Sequence, residues 1–241
     1  MFRKKFPLVR HGGAALLALA LSACGGKSAD TPVTGAVPAT PGVVAAARPM
    51  PDKTSADCSV VFYGDSILNG SYVKEELSMR HARHPAAELK AQRPAWRIDD
   101  RTVPGQSLAK VAKGFHGDPR DARVVVIESG IAEGWSGGTV LTHLPWMIEA
   151  VRFEGKIPVL TGYSRQTPNA FMTPDKLAGR DRIDDEAKRL ARDMDVEFAD
   201  FGSAGPAELI DDVHPTQEYS LRLTAKLIEA LDRVAPECSH H

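Results

Sequence analysis

The 241-residue sequence has no charge excess of either sign, no nucleotide-binding glycine motif and, beyond its first residues, no long apolar run. Each absence excludes a class of function. The chain sets 30 Lys and Arg against 31 Asp and Glu, which gives no support for nucleic-acid binding. The glycines between Gly130 and Gly138 form neither Gly-x-Gly-x-x-Gly nor a P-loop with its Lys-Ser/Thr, so no phosphate cradle is expected. After residue 23 no segment is long and apolar enough to cross a bilayer as a helix. His81, His84, His116 and His143 lack partners at zinc-ligand spacing and read as surface or helix-end residues, so no metal and no other cofactor is expected. The terminal pair His240-His241 is assigned no function. Cysteine is scarce, with only Cys24, Cys58 and Cys238. No internal repeat is visible. What remains is an ordinary globular composition, 43% hydrophobic and 25% charged, that fits one medium domain with extras.

The extras lie at the start. Arg3, Lys4, Lys5 and Arg10 form a basic region, followed by the short apolar stretch Ala14–Leu21 and then Leu21-Ser22-Ala23-Cys24. This order reads as an export signal over residues 1–23. The tetrapeptide resembles the lipobox of bacterial lipoproteins, which implies cleavage before Cys24 and a lipid on its sulfur. An ordinary secretory signal with a chance cysteine is the alternative. Gly25, rather than an aspartate, follows the cysteine and favours the outer membrane over the inner one. Acyl chains on Cys24 would then hold the protein to the envelope membrane. The mature chain carries 26 basic residues against 31 acidic ones, a balance of −5, which again argues against nucleic acid. Residues 24–57 are rich in Gly, Ala, Pro, Ser and Thr without apolar period and read as a tether, reaching roughly 30 Å as a flexible coil. In an exported chain Cys58 and Cys238, one before the first strand and one after the last helix, are expected to form a disulfide; two separate buried thiols are the alternative.

Residues 58–238 alternate strand and helix patterns. Strands are predicted over Ser59–Tyr63, Trp96–Val103, Arg123–Glu128, Ile157–Thr161 and Val196–Phe201. Val124-Val125-Val126-Ile127 is apolar throughout, as a strand covered on both faces should be. Helices are predicted over His84–Arg93, Ser107–Lys113, Thr139–Glu154, from Thr173-Pro174 onward with Ile183, Ala187, Leu190 and Met194 inward, and over Thr216–Val234. In the last helix Leu221, Thr224, Leu227, Ile228 and Leu231 share a face. The alternation predicts an α/β fold, a parallel sheet with helices on both sides.

Gly64-Asp65-Ser66 ends the first apolar run, where α/β proteins expose residues at the C-terminal edge of the sheet. A serine there is a nucleophile only if a base reaches it and a third group orients the base. Asp211-Asp212-Val213-His214-Pro215 offers both, because a carboxylate three residues before a histidine can hold one ring nitrogen and leave the other for Ser66. Asp212 is read as solvated or capping. Gly105, in the loop after the second strand, lets a backbone N–H approach a developing oxyanion. Trp135, Trp146 and Tyr163 are read as core or loop packing before sugar contacts. Ser164 follows a strand but lacks the Gly-x-Ser-x-Gly elbow.

Gly64-Asp65-Ser66-Ile67-Leu68, Gly105 and Asp211-x-x-His214-Pro215 together resemble, in order and spacing, the blocks of the GDSL or SGNH hydrolases. The resemblance implies a flavodoxin-like three-layer α/β/α sandwich with a five-stranded parallel sheet. It implies esterase activity with Ser66 as nucleophile and oxyanion donor, Gly105 as second donor, His214 as base and Asp211 as its orienter. No cofactor is implied. One block departs: the family's oxyanion asparagine is Ala132 here, and a methyl group cannot donate. Asn69, Gln106 and Ser129 are the substitutes nearby in sequence. The expected substrate is a short-acyl ester, such as an O-acetyl group on an envelope carbohydrate. Two alternatives stand beside it: a non-catalytic surface lipoprotein that binds glycan or a partner, and an O-acyltransferase using the same residues.

Overall fold

The computed structural model describes residues 57–239; the expected export signal, Cys24, the expected tether up to residue 56 and the terminal pair His240-His241 lie outside the described residues. The chain runs β1 (Ser59–Gly64), α1 (Ser66–Asn69), β2 (Ser71–Lys74), β3 (Leu77–Arg80), α2 (Pro85–Gln92), β4 (Arg97–Asp100) and α3 (Leu108–Phe115). It continues through β5 (Val124–Glu128), α4 (Ile131–Trp135), α5 (Leu144–Phe153), β6 (Ile157–Thr161), α6 (Pro174–Asp193), β7 (Glu197–Ala199) and α7 (Gln217–Val234). Five strands form one parallel sheet in the order β4-β1-β5-β6-β7. This is the flavodoxin-like arrangement, and β1 stands where the chain first winds to one side and then to the other.

Side chains alternate across each strand, so β1 and β5 feed two cores. Val60, Phe62, Val124 and Val126 meet α2 and α7 through Leu89, Tyr219, Leu223, Leu227 and Leu231. Val61, Tyr63, Val125 and Ile127 meet α3, α5 and α6 through Leu108, Val111, Met147, Val151, Ile183 and Ala187. With helices on both faces, the central strands read as unbroken apolar runs, and the result is a three-layer α/β/α sandwich. Cys58 and Cys238 are joined by a disulfide with their Cα atoms 5.6 Å apart. The bond ties the entry to β1 to the exit from α7, at the edge of the sheet opposite the C-terminal end of β1.

Several predicted boundaries move. The second strand is only Arg97–Asp100; beyond it Thr102 N–H and Oγ bond back to the Asp100 carboxylate, while the Arg101 and Val103 N–H groups still bond to the Phe62 and Gly64 carbonyls of β1. The last strand shortens to Glu197–Ala199, with Phe201 beginning a 3₁₀ turn. The helix placed over Thr139–Glu154 begins at Leu144, with Pro145 in its first turn, and leaves Leu141 exposed outside it. In α7 it is Leu223, not Leu221, that is buried. The antiparallel hairpin β2–β3 and the short helix α4 were not expected from the sequence.

Candidate active site

The site is built at the C-terminal ends of β1, β4 and β5. Gly64 ends β1 opposite Glu128 of β5, and a Cβ there would stand 2.7 Å from the Glu128 carbonyl oxygen and 2.8 Å from its carboxylate. Glycine is therefore required for the two strands to stay paired at this point. Asp65 then caps α1, its Oδ1 accepting from the Ile67 N–H at 2.9 Å. The cap turns the chain sharply and leaves Ser66 half-exposed on the first turn.

Ser66 Oγ donates to His214 Nε2 at 3.0 Å, across 148 residues of chain. On the far side of the ring, His214 Nδ1 donates to Asp211, at 2.7 Å to Oδ2 and 2.9 Å to Oδ1. A carboxylate accepts only, which fixes the proton on Nδ1 and leaves Nε2 free to take the serine proton. Asp211 is itself held by backbone N–H groups: Val213 at 2.9 Å and His214 at 2.8 Å on Oδ1, and Val73 at 2.8 Å on Oδ2. Burial alone would push the Asp211 carboxyl up; the backbone donors Val213, Val73 and His214 together with the His214 ring outweigh it and hold the carboxyl below its ordinary value. Asp212 beside it is exposed and gives only its carbonyl, to Asn169 Nδ2 at 2.7 Å.

Two groups the sequence did not single out as part of this arrangement complete it. Val73 belongs to the hairpin, which reaches over from the start of the domain to touch Asp211. His81, expected at the surface or at a helix end, is buried: its ring stacks on Tyr72 at 4.7 Å, and its Nε2 donates to the Pro215 carbonyl at 3.0 Å. It thereby pins the residue after His214. By contrast, His84, His116 and His143 do sit at the ends of α2, α3 and α5.

Beneath Ser66 lies a second buried pair. Asp65 and Glu128 are both almost fully enclosed, and Asp65 N–H donates to Glu128 Oε2 at 3.1 Å. Burial, only partly opposed by the Ile67 N–H and the contact with Glu128, pushes the Asp65 carboxyl up to about 7. Burial and the neighbouring Asp65 charge push Glu128 well above its ordinary value. Two carboxyl groups this close and this dry retain a proton between them.

A cleft of about 400 Å³ opens over Ser66 and His214. It is lined by Pro104, Gly105 and Gln106 of the loop after β4, by Ile131, Ala132 and Trp135 of α4, and by Ser71, Tyr72, Val73 and Ser78 of the hairpin. Gly105 adopts the left-handed conformation, φ 72°, with open space where a Cβ would be; the glycine serves the turn. Ala132 presents its methyl group, so that position supplies no side-chain donor. Of the candidate substitutes, neither Asn69, one of whose Nδ2 N–H groups goes to Thr102 Oγ1 at 2.8 Å, nor the buried Ser129 is among the residues lining the cleft. Gln106 lines it. Trp135 is a cleft residue, whereas Trp146 packs on Phe115 and Tyr163 is buried with its hydroxyl on the Ser129 carbonyl at 2.9 Å. A smaller groove of about 320 Å³ continues past His214 along Val73, Phe171 and Val213.

The profile of the GDSL-like lipase/acylhydrolase family matches residues 62–219, which carry Ser66, Gly105, Asp211 and His214. No curated protein sequence matches the chain. Among solved structures, Est24, a carbohydrate acetylesterase from Sinorhizobium meliloti, superposes with a TM-score of 0.61 at 15% identity, covering 74% of this chain and 99% of that one. The psychrotrophic esterase EstA from Pseudoalteromonas sp. gives 0.57 at 14% identity, covering 74% and 98%. A mutant of Axe2, an acetyl-xylooligosaccharide esterase from Geobacillus stearmophilus, gives 0.55 at 17% identity, covering 75% and 96%. At these identities the likeness is one of fold.

Proposed function

The chain belongs to the GDSL-like lipase/acylhydrolase family, and on that premise we propose that it is a serine esterase of the bacterial envelope that removes short acyl groups, acetyl above all, from carbohydrate. The observation that carries the chemistry is the unbroken relay Ser66 Oγ to His214 Nε2, and His214 Nδ1 to Asp211. In this reading Ser66 attacks the ester carbonyl as His214 takes its proton. The tetrahedral oxyanion forms against the backbone N–H groups of Ser66 and Gly105. Its collapse expels the alcohol, which receives the proton from His214. Water, activated by the same imidazole, then releases the acid from Ser66. Asp211 orients the ring and stabilises the imidazolium throughout.

The lining of the cleft supports the substrate class. An aromatic face at Trp135 and hydroxyls at Ser71, Tyr72 and Ser78 are groups suited to a sugar, and two of the structurally similar proteins are described as esterases of acetylated carbohydrate. The export signal and lipobox support anchoring through Cys24, and the tether would give the domain its reach from the membrane. Labelled palmitate should enter the full chain and be absent from Cys24→Ser. A fluorophosphonate probe should label wild type at Ser66 and leave Ser66→Ala unlabelled; a wild-type protein that resists the probe contradicts the esterase reading. Ala132 favours one second reading, a glycan-binding lipoprotein without turnover. In that case Ser66→Ala would bind acetylated oligosaccharide as tightly as wild type, with no acetate released by either.

A further inference from the structure

The cleft has a donor missing at Ala132, and a donor without a partner at Gln106, one step along the loop that carries Gly105. We propose that the side-chain amide of Gln106 is the third oxyanion donor of this enzyme, taking over the place left by the absent carboxamide at Ala132. The assignment rests on the esterase reading above and deepens it.

The argument is one of elimination among groups that line the same cleft. Negative charge develops on the substrate oxygen close to the Ser66 and Gly105 backbone N–H groups, so a third donor has to stand on that side of Ser66. Ser71 Oγ donates to Asn69 Oδ1, and Trp135 Nε1 donates to Gln166 Oε1 at 3.2 Å; both are engaged. Tyr72 and Ser78 belong to the hairpin wall: Tyr72 is stacked on His81, and Ser78 pairs with Val73, whose N–H holds Asp211. Both residues thus belong to the strand pair that holds Asp211 and not to the loop that carries Gly105.

Gln106 is different in each respect. It follows Gly105 directly, on the loop that already brings a donor to the cleft. Its backbone is fixed, with the N–H donating to the Val103 carbonyl at 3.1 Å, while Val103 N–H is tied to the Gly64 carbonyl at 2.9 Å. Ser107 behind it starts α3 by capping Lys110 N–H. The loop is thus anchored on both sides of the residue. Gln106 is half-buried, lines this cleft and also the neighbouring pocket beside Tyr63, Arg101 and Lys110, and its side-chain amide makes no hydrogen bond among the described residues. A glutamine offers the same N–H chemistry as an asparagine with one more methylene of reach, and the small Ala132 side chain leaves room for it. The loss after β5 and the gain after β4 are then a single exchange of position in one cleft.

The test uses the full-length protein and nitrophenyl acetate, with Ser66→Ala as the baseline. Gln106→Ala and the near-isosteric Gln106→Glu should each lower kcat roughly 10²–10³-fold, the loss expected for one oxyanion donor. KM should stay within about threefold, because the interaction forms only as the oxygen becomes charged. The thermal midpoints should match wild type, since the amide holds nothing in the resting fold. Adding Ala132→Asn to Gln106→Ala should restore at least about tenfold of the lost kcat. Variants at Gln106 that turn over within about twofold of wild type overturn the assignment. So does a loss confined to KM, which would make Gln106 a ground-state contact. If wild type shows no turnover above Ser66→Ala, the esterase reading itself falls and the assignment with it. Full wild-type turnover that Gln106→Ala and Gln106→Glu leave unchanged would overturn the assignment alone.

Discussion

Val73 donates its backbone N–H to Asp211 Oδ2 at 2.8 Å, joining residues 138 positions apart. The contact gives the hairpin a purpose beyond walling the cleft. In the proposed mechanism Asp211 stays ionised and aimed at His214, and the hairpin adds a donor on Oδ2 to those that Val213 and His214 supply on Oδ1. Asp211→Asn keeps the shape but cannot stabilise an imidazolium and invites the wrong ring tautomer. It should lower kcat for nitrophenyl acetate roughly 10³–10⁴-fold with the fold intact, a comparison that steady-state kinetics and circular dichroism make together.

The same hairpin turns through Glu75 and Glu76, both in the left-handed region at φ 50° and 66°. Two such residues make the turn that suits antiparallel strands, but a side chain at these angles costs about 1–2 kcal/mol per residue. The pair Glu75→Asn and Glu76→Gly should raise stability by about 1 kcal/mol in urea unfolding and leave kcat unchanged.

Asp65 and Glu128 set a pH dependence of stability. The folded Asp65 carboxyl sits at about 7, against an ordinary value of 3.8. Between those two pH values the folded state holds a proton that the unfolded chain has lost, so stability falls as pH rises from about 4 to about 7, and Glu128, pushed well above its ordinary value, carries the fall further. Asp65→Asn retains an oxygen for the Ile67 N–H and removes that titration. Its unfolding free energy should be flatter over this window, and higher than wild type near pH 8 by an amount on the order of a few kcal/mol. Urea titrations at pH 5 and 8 measure the difference directly.

The disulfide lies away from the chemistry. Cys58→Ser with Cys238→Ser frees a closed loop with 180 positions between its ends. Stability should fall by about 2–5 kcal/mol, or roughly 4–20 °C in thermal midpoint. Turnover at 25 °C should be unaffected, because the bond is at the N-terminal end of β1 and Ser66 follows its C-terminal end. Calorimetry and an ester assay on one preparation separate the two effects.

The sheet was readable because both its faces are covered. Val60–Tyr63 and Val124–Ile127 are apolar at every position, and only a buried strand tolerates that. The hairpin was not readable for the opposite reason. Val73, Leu77 and Met79 are exposed, its strands are four residues each, and Glu75-Glu76 carries none of the Gly or Asn that marks such a turn. α4 hid behind the glycines around it. Ser66, Asp211 and His214 could be named in advance because their chemistry is spelled in short motifs. The groups that hold them could not: Val73 acts through its backbone, which any residue has, and His81 becomes structural only when Pro215 and Tyr72 close on it from distant segments. Burial of Asp65 against Glu128 likewise follows from the register of β1 on β5, which no local pattern encodes.

The central claim is that Ser66, activated by His214 at 3.0 Å, cleaves an ester. Steady-state turnover of nitrophenyl acetate, butyrate and octanoate by purified wild type and Ser66→Ala tests it most directly. The account predicts wild-type turnover that is highest on acetate and falls at least about 10³-fold in Ser66→Ala. Equal rates for the two proteins would contradict it.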